Sequence, residues 1–276
     1  MDFKSLGSRV LVAIFGAPLV IFLILNGGLA FAILILIINL GAQYEFYKLT
    51  ERKGMLPLKI LGLVGTAIIT FSFYKYGIEK LWLIVLCMFY LILLIELFRN
   101  KASATLNIAS TTWGLFYPAV FFGFMILLRE LPKEIGMEYS LGGRWLLLML
   151  ICIWICDTAA YFVGKAIGKH KLFFRVSPNK TIEGAVAGLV FSFITGYIFH
   201  LTYIDSLTLL QCMVIALIAG TFGQVGDLLE SLFKRDAGVK DSSGILPGHG
   251  GFLDRFDAPL FVAPVVYLYL RFVVFV

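Results

Sequence analysis

The stretch from Ser231 to Asp257, SLFKRDAGVKDSSGILPGHGGFLDRFD, is polar in a chain that is otherwise largely apolar. Basic and acidic residues alternate along it: Lys234, Arg235, Asp236, Lys240, Asp241, Asp254, Arg255 and Asp257. Its PGHGG run, residues 247–251, cannot continue a helix, because proline lacks an amide donor and glycine carries a high entropy cost. Glycines also let a backbone approach a phosphate, and carboxylates beside cations are typical of sites that hold phosphates through a metal ion. The stretch is therefore either such a site or a solvated loop between membrane helices.

The rest of the chain has the composition of a membrane protein. Of the 276 residues, 60% are hydrophobic and 14% are charged, whereas about 25% charged residues are usual in soluble domains. Apolar runs near the length of about 20 residues that crosses a bilayer recur throughout. We predict an all-α, polytopic integral membrane protein with about nine transmembrane helices, forming one membrane domain over residues 1–276. The predicted spans are 11–25, 29–48, 58–78, 81–98, 106–128, 145–165, 182–203, 207–233 and 257–275.

The distribution of charge predicts how the chain crosses the membrane. The net charge of +6 would allow a nucleic-acid partner. The basic residues lie in short loops between predicted helices, however, so we expect an anionic membrane surface and no nucleic acid. With the N-terminus inside, 17 Lys and Arg face the cytoplasm and 6 face the other side, as the positive-inside rule requires. This topology predicts a multi-pass protein of the cell membrane, with its polar loops at 165–180 and 234–255 on the cytoplasmic face.

Two acidic residues lie inside predicted spans. Asp157 precedes Lys165 by eight residues, and Asp227 precedes Lys234 by seven. At helical rise they are about 12 Å and about 10 Å inside the cytoplasmic ends of their helices. A carboxylate that faces lipid is costly, so each is expected to be functional or paired; bracing of neighbouring helices is the alternative. Spacings of three, four and seven place one set on a single helix face: Asp227, Glu230, Ser231 and Lys234.

Three blocks of sequence in this region resemble known motifs. They are residues 157–165 (DTAAYFVGK), residues 177–184 (SPNKTIEG) and, within 231–257, the elements SLFKR, KD, LPGHGG and DRFD. In this order and at these separations they are similar to the motifs of the phosphatidate cytidylyltransferases (CDP-diacylglycerol synthases). Residues 1–144 contribute predicted helices without such a motif, whereas residues 145–276 carry all three blocks.

The resemblance implies a reaction and a set of roles. CTP and phosphatidate would give CDP-diacylglycerol and pyrophosphate in phospholipid biosynthesis, with Mg²⁺ as cofactor and a second cation as an option. The implied metal ligands are Asp227 and Asp254, and Asp157 joins them by its similar depth. The implied catalytic residues are Asp227, Lys234, Arg235, Lys240, Asp241, His249, Asp254, Arg255 and Asp257. The implied substrate-binding residues are Ser177, Asn179, Lys180, Thr181, Glu183, Ser231, Gly250 and Gly251.

Several of these residues also have simpler interpretations. A helix N-terminus favours acids, so capping accounts for one of Asp254 and Asp257 without catalysis. His249 is expected to contact phosphate or shape the loop, since a phosphate monoester attacks without a strong base. Lys180 lies in a basic cluster suited to polyphosphate or a lipid head group, and an ordinary positive-inside loop is the alternative.

Two other functions fit a polar site in the membrane. A CTP-dependent polyprenol or phytol kinase shares the setting and the nucleotide, and a transporter would also place polar residues between helices. The scarcity of charge in the outer halves of the spans disfavours the transporter, and the stretch 231–257 favours the cytidylyltransferase over the kinase.

Two further patterns concern packing. Gly184, Gly188, Ser192 and Gly196 form a small-residue stripe that lets helices pack closely, within the chain or across a homodimer. Glu45 and Glu96 lie beside Lys48 and Arg99, so local pairing is expected to satisfy both acids.

Overall fold

The structure, a computed structural model, describes residues 16–245 and 250–276. These residues form helices joined by short loops, with one small hairpin. In chain order the elements are α1 (Gly16–Asn26), α2 (Gly28–Arg52), α3 (Lys59–Tyr76), α4 (Leu81–Arg99), α5 (Ala104–Gly114), α6 (Phe121–Glu134), α7 (Ser140–Ile167), β1 (Lys171–Phe173), β2 (Ser177–Thr181), α8 (Ile182–Thr202), α9 (Leu209–Asp236) and α10 (Leu253–Tyr269). Residues 11–15 of the first predicted span and His249 lie outside the described residues.

The described helices confirm the multi-pass, all-α prediction. Seven are long and apolar enough to cross a membrane: Gly28–Arg52, Leu81–Arg99, Ala104–Glu134, Ser140–Ile167, Ile182–Thr202, Leu209–Asp236 and Leu253–Val274. The predicted number of nine is not confirmed. The helix α1 is short, and α3 has Lys59 at its start and Lys75 in its last turn.

Two of the seven spans contain a π-helical segment. The segment Leu115–Val120 joins α5 to α6, and Leu270–Val274 extends α10. Pro118 lies inside the first of these segments. Proline has no amide to donate to the preceding turn, and a wider π-type turn accommodates such a break without ending the helix. The predicted run 106–128 is thus one continuous span with a local change of pitch.

By their contacts the residues form two compact units, of which the first comprises Met1–Leu127 and Phe233–Phe256. Its interior contains a polar network centred on Gln43 and Tyr47, both buried in α2. Gln43 accepts a hydrogen bond from Thr66 and donates to the carbonyl of Gly114, and the Tyr47 hydroxyl donates to the carbonyl of Thr111. Polar groups buried in a membrane protein are costly unless paired, so this network ties α2, α3 and α5 together.

The second unit comprises Leu128–Leu232 and Asp257–Val276. In this unit, glycine and other small residues lie where the helices cross, so that the backbones can approach closely. A Cβ on Gly184 would lie 2.6 Å from the Ala160 carbonyl of α7, and one on Gly188 would lie 2.8 Å from the Cys156 carbonyl. The same face of α8 meets α9, where the Ser192 hydroxyl donates to the Ala216 carbonyl at 2.8 Å. The small-residue stripe therefore packs helices within the chain.

Candidate active site

The block SPNKT forms the second strand of a hairpin between α7 and α8. Strand β1 pairs antiparallel with β2, with Lys171 opposite Thr181. Thr181 is the N-cap of α8, and its hydroxyl accepts a hydrogen bond from the Gly184 amide at 3.2 Å. Glu183 accepts from His170, with 2.6 Å between Oε1 and Nδ1. Two residues predicted to bind substrate, Thr181 and Glu183, thus shape the start of a helix.

Lys180, between these structural contacts, points to a different partner. Its ammonium lies 2.7 Å from Asp227 Oδ2 on α9. Asp227 Oδ1 accepts a hydrogen bond from the Ser231 hydroxyl, one turn further along the same helix, at 3.3 Å. Asp157, on α7, lies within electrostatic range of both Asp227 and Lys180. Asp157, Lys180 and Asp227 form a group that we call the carboxylate–lysine cluster. Its two carboxylates and one ammonium give it a net charge of −1.

The composition of the carboxylate–lysine cluster fits an oxygen-seeking cation such as Mg²⁺. Asp157 and Asp227 provide hard oxygen ligands, and Asp227 is only half-buried, so there is access to it. The described residues contain no group of three or more His, Cys, Asp and Glu arranged to hold a metal. The two aspartates would therefore depend on water or substrate phosphates for further ligands, as magnesium commonly does. The metal remains a prediction.

In the first unit, Asp254 is the centre of a second arrangement. Lys234 Nζ lies 2.6 Å from its Oδ1. The amides of Ser242 and Gly251 donate to it at 3.0 Å and 2.8 Å, and the Ser242 hydroxyl lies at 2.9 Å. Gly250 has a φ of +81°, a conformation that residues with a side chain rarely adopt. Asp254 thus holds Ser242 and Gly251 together, two residues of the loop between α9 and α10 (the polar loop). Its role as a metal ligand stays a prediction.

Glu45, on α2, is the residue that sequence reasoning missed. It is fully buried and accepts four hydrogen bonds, from Ser243 Oγ at 2.6 Å, Leu253 N at 2.8 Å, Ser242 Oγ at 2.9 Å and Phe252 N at 3.0 Å. The expected pairing with Lys48 is wrong, since Lys48 is exposed and lies over the ring of Tyr44. The signal was available in the sequence, because an acid inside an apolar helix is costly unless something pairs with it.

Glu96 provides the contrast, and for this acid the expectation of local pairing is confirmed. Arg99 Nη1 lies 3.2 Å from Glu96 Oε2. The side-chain amide of Asn107 also donates, through Nδ2, to Glu96 Oε1 at 2.6 Å.

A profile of the Cytidylyltransferase family matches residues 7–273. The chain belongs to the cytidylyltransferase family. It is 34% identical to the phosphatidate cytidylyltransferase of Bacillus subtilis (strain 168) over 270 residues, covering 95% of this chain and 96% of that protein. For the phosphatidate cytidylyltransferase of Staphylococcus aureus (strain COL), the identity is 34%, with coverage of 95% and 98%. For the one from Staphylococcus saprophyticus, it is 47% over 131 residues, 48% of this chain and 50% of that protein.

The remaining predicted residues lie at the end of α9, on the polar loop, at the start of α10 and on β2. Arg235 donates to the Val239 carbonyl at 3.0 Å, just beyond α9. Asp257 is buried in α10 and accepts from the Ala258 amide at 2.9 Å. Three others are exposed on the polar loop or the start of α10: Lys240, Asp241 and Arg255. Ser177 and Asn179 lie on β2, with Asn179 exposed.

The first unit of this cytidylyltransferase also contains a cavity of about 290 Å³ with a mostly apolar lining. Its walls include Phe46, Trp113 and Phe233. Lys53 and Asp236, which also line the cavity, form an ion pair of 3.0 Å, and both side chains are exposed. The cavity thus combines an apolar interior with a charged edge.

Proposed function

We propose that this nucleotidyltransferase transfers the cytidylyl group of CTP to phosphatidate, forming CDP-diacylglycerol and releasing pyrophosphate. The observation that carries the proposal is the carboxylate–lysine cluster, in which Lys180 binds Asp227 at 2.7 Å with Asp157 within electrostatic range. It combines a cation for phosphate oxygens with hard ligands for a divalent ion. The names of the full-length relatives support the same reaction.

The chemistry requires little proton transfer. A phosphate oxygen of the lipid forms a bond to the α-phosphorus of CTP. The bond from that phosphorus to the oxygen bridging to the β-phosphorus breaks, and pyrophosphate leaves with the electron pair. Because the phosphate monoester is already anionic, no strong base is needed. Catalysis then depends on positioning and on stabilising negative charge.

The residues of the carboxylate–lysine cluster suit these tasks. Lys180 would exchange its contact with Asp227 for a phosphate oxygen, which leaves the two aspartates free to hold the metal. Bound Mg²⁺ supplies positive charge that neutralises the triphosphate and the leaving pyrophosphate. The hairpin and the Thr181 cap fix the backbone on either side of Lys180, so the ammonium needs to move little between the two states.

The lipid substrate needs an apolar surface next to a cation, and the cavity of the first unit offers both. Its volume of about 290 Å³ and its aromatic walls accommodate part of an acyl chain. Lys53 at its edge would exchange its ion pair with Asp236 for a lipid phosphate. This site for phosphatidate is part of the proposal.

The proposal also includes the orientation and location predicted from the loop charges. Because 17 of the Lys and Arg residues fall on one predicted face and 6 on the other, the hairpin and the polar loop would face the cytoplasm. In a cysteine-free variant, Lys169→Cys and Asp241→Cys should resist an impermeant thiol reagent in intact cells and react in permeabilised ones. Labelling of either position in intact cells would overturn the orientation.

The decisive experiment follows the phosphorus atoms of CTP. Purified protein receives phosphatidate, Mg²⁺ and CTP labelled at the α or the γ position. Label should enter the lipid from α-labelled CTP alone and only with phosphatidate present. Transfer from the γ position would instead indicate a lipid kinase.

Two variants test whether the carboxylate–lysine cluster carries the activity. Asp227→Asn should abolish transfer of label to lipid. Asp205→Asn, which makes the same change at an exposed acid paired with Arg144, should leave it unchanged. Equal activity of the two variants would refute the assignment of Asp227.

A further inference from the structure

Glu45 joins the part of the chain without motifs to the polar loop. Its Oε1 accepts from the Ser243 hydroxyl and the Phe252 amide, and its Oε2 accepts from the Ser242 hydroxyl and the Leu253 amide. Two of these donors precede the PGHGG run and two follow it. A single buried carboxylate therefore holds residues 242–243 and 252–253 at one point.

The same contacts lead directly to Asp254. The Ser242 hydroxyl lies 2.9 Å from Glu45 Oε2 and 2.9 Å from Asp254 Oδ2, and the Ser242 amide donates to Asp254. Leu253, whose amide binds Glu45, is the first residue of α10 and precedes Asp254. Movement of Glu45 would thus shift both the start of α10 and a hydrogen-bond donor of Asp254.

Glycine at 251 shows how closely these groups are packed. A Cβ at this position would collide with the Ser242 hydroxyl and the Glu45 carboxylate. The Gly251 amide donates to Asp254 at 2.8 Å. Ser242 and Gly251 therefore have little room to relax around a change at Glu45.

We infer that Glu45 is a positioning residue for cytidylyl transfer. It fixes both sides of the polar loop so that Asp254 and its partner Lys234 keep the geometry that transfer requires. This inference rests on the proposed function. Glu45 comes from α2, far from the motifs in sequence, acts through the loop and does not contact the reacting atoms.

Glutamine cannot replace this carboxylate, for a reason visible in the contacts. Each oxygen of Glu45 accepts one backbone amide and one hydroxyl. In glutamine, one of the two oxygens is replaced by an NH₂ group, which donates hydrogen bonds. The backbone amide that donated to the replaced oxygen, Phe252 or Leu253, is also a donor and cannot become an acceptor. Glu45→Gln therefore loses a backbone hydrogen bond at Phe252 or Leu253, with almost no change in volume.

The test measures kcat and KM for CTP and phosphatidate, together with thermal unfolding in detergent. We expect Glu45→Gln to lower kcat about 30-fold, because a small displacement of a catalytic geometry can cost about 100-fold, with a Tm close to that of the control. The control is Glu96→Gln, the same substitution at a buried acid of the same unit whose partners are Arg99 and Asn107. It should keep kcat within about twofold, the range expected away from the site.

A milder variant covers the case in which Glu45→Gln fails to fold. Ser243→Ala removes one donor to Glu45 Oε1 and should lower kcat about fivefold, the value of one hydrogen bond. If Glu45→Gln does fold, the double variant should be less impaired than the product of the two single effects, because both act through one network.

The results separate the inference from the proposed function. Failure of the wild-type protein to form lipid from α-labelled CTP would refute the proposed function. Activity in the wild type with equal kcat in Glu45→Gln, Ser243→Ala and Glu96→Gln would refute the role of Glu45 alone. A fall in Tm without a fall in kcat would likewise reduce Glu45 to a structural acid.

Discussion

The polar loop of the first unit and the carboxylate–lysine cluster of the second differ in how far their carboxylates are already hydrogen-bonded. Glu45 and Asp254 are surrounded by hydroxyl and amide donors within 3.0 Å, and Asp254 also binds Lys234. Asp227 contacts one ammonium, that of Lys180, and one hydroxyl, that of Ser231 at 3.3 Å, and 36% of its side chain is exposed. Saturated carboxylates fix a backbone, whereas an unsaturated one retains capacity for a ligand. The carboxylates of the polar loop are therefore suited mainly to holding the backbone, and Asp227 is suited to binding a ligand.

The largest expected effect is at the unsaturated carboxylate. Asp227→Asn removes a charged oxygen ligand while keeping the size of the side chain, so turnover should fall at least about 1,000-fold. Activity at a range of Mg²⁺ concentrations measures this, and membrane insertion and Tm check the fold. Near-normal activity at limiting Mg²⁺ would place the metal elsewhere.

Lys180 should show the next largest effect. Lys180→Met keeps the length of the stem but removes the cation, and we expect kcat/KM for CTP to fall about 100-fold. Lys180→Arg keeps the charge and should recover part of the loss, though not all, because the guanidinium has a different geometry. Steady-state kinetics measures kcat/KM for CTP in both variants. Equal kcat/KM in the Met and Arg variants would show that charge at this position is unimportant.

Gly251 tests the saturated loop. Gly251→Ala places a methyl group against Ser242 and Glu45 and should lower kcat about tenfold, since neither the hydroxyl nor the buried carboxylate can withdraw freely. Gly244→Ala is the matched control, because no atom lies within 4 Å of its added Cβ. The kcat values of the two variants are measured side by side. Equal values would contradict the role of the loop.

The smallest effect is expected at the cavity. Ala109 lines it, and Ala109→Trp should raise KM for phosphatidate about threefold by occupying part of the volume. KM for CTP should not change. Ala104→Trp adds the same ring to an exposed position of α5 outside the cavity lining. A rise in KM for phosphatidate in both variants would remove the cavity from the proposal.

The fold class followed from the sequence because a bilayer allows so few solutions. Long apolar runs in lipid must satisfy their backbone groups internally, and helices do this with local contacts alone. Length and hydropathy therefore predicted most spans to within a few residues, as at 81–98 against Leu81–Arg99. The number of spans was harder to predict, because α1 is short and α3 has a lysine near each end, so that both are marginal in length or hydropathy. The small-residue stripe on α8 was visible, but its partner helices within the chain were not.

For the site, the sequence by itself identified the polar stretch and the two aspartates inside helices, because charge in an apolar segment is conspicuous and costly. Only the tertiary structure decided which charges meet. It paired Lys180 with Asp227 and assigned Thr181 and Glu183 to the start of α8. It also brought Glu45 to Ser242, which lies 197 residues later in the chain. Hydrogen bonds act over about 3 Å of space irrespective of separation in sequence, so a partner so distant along the chain is set by the packing of helices.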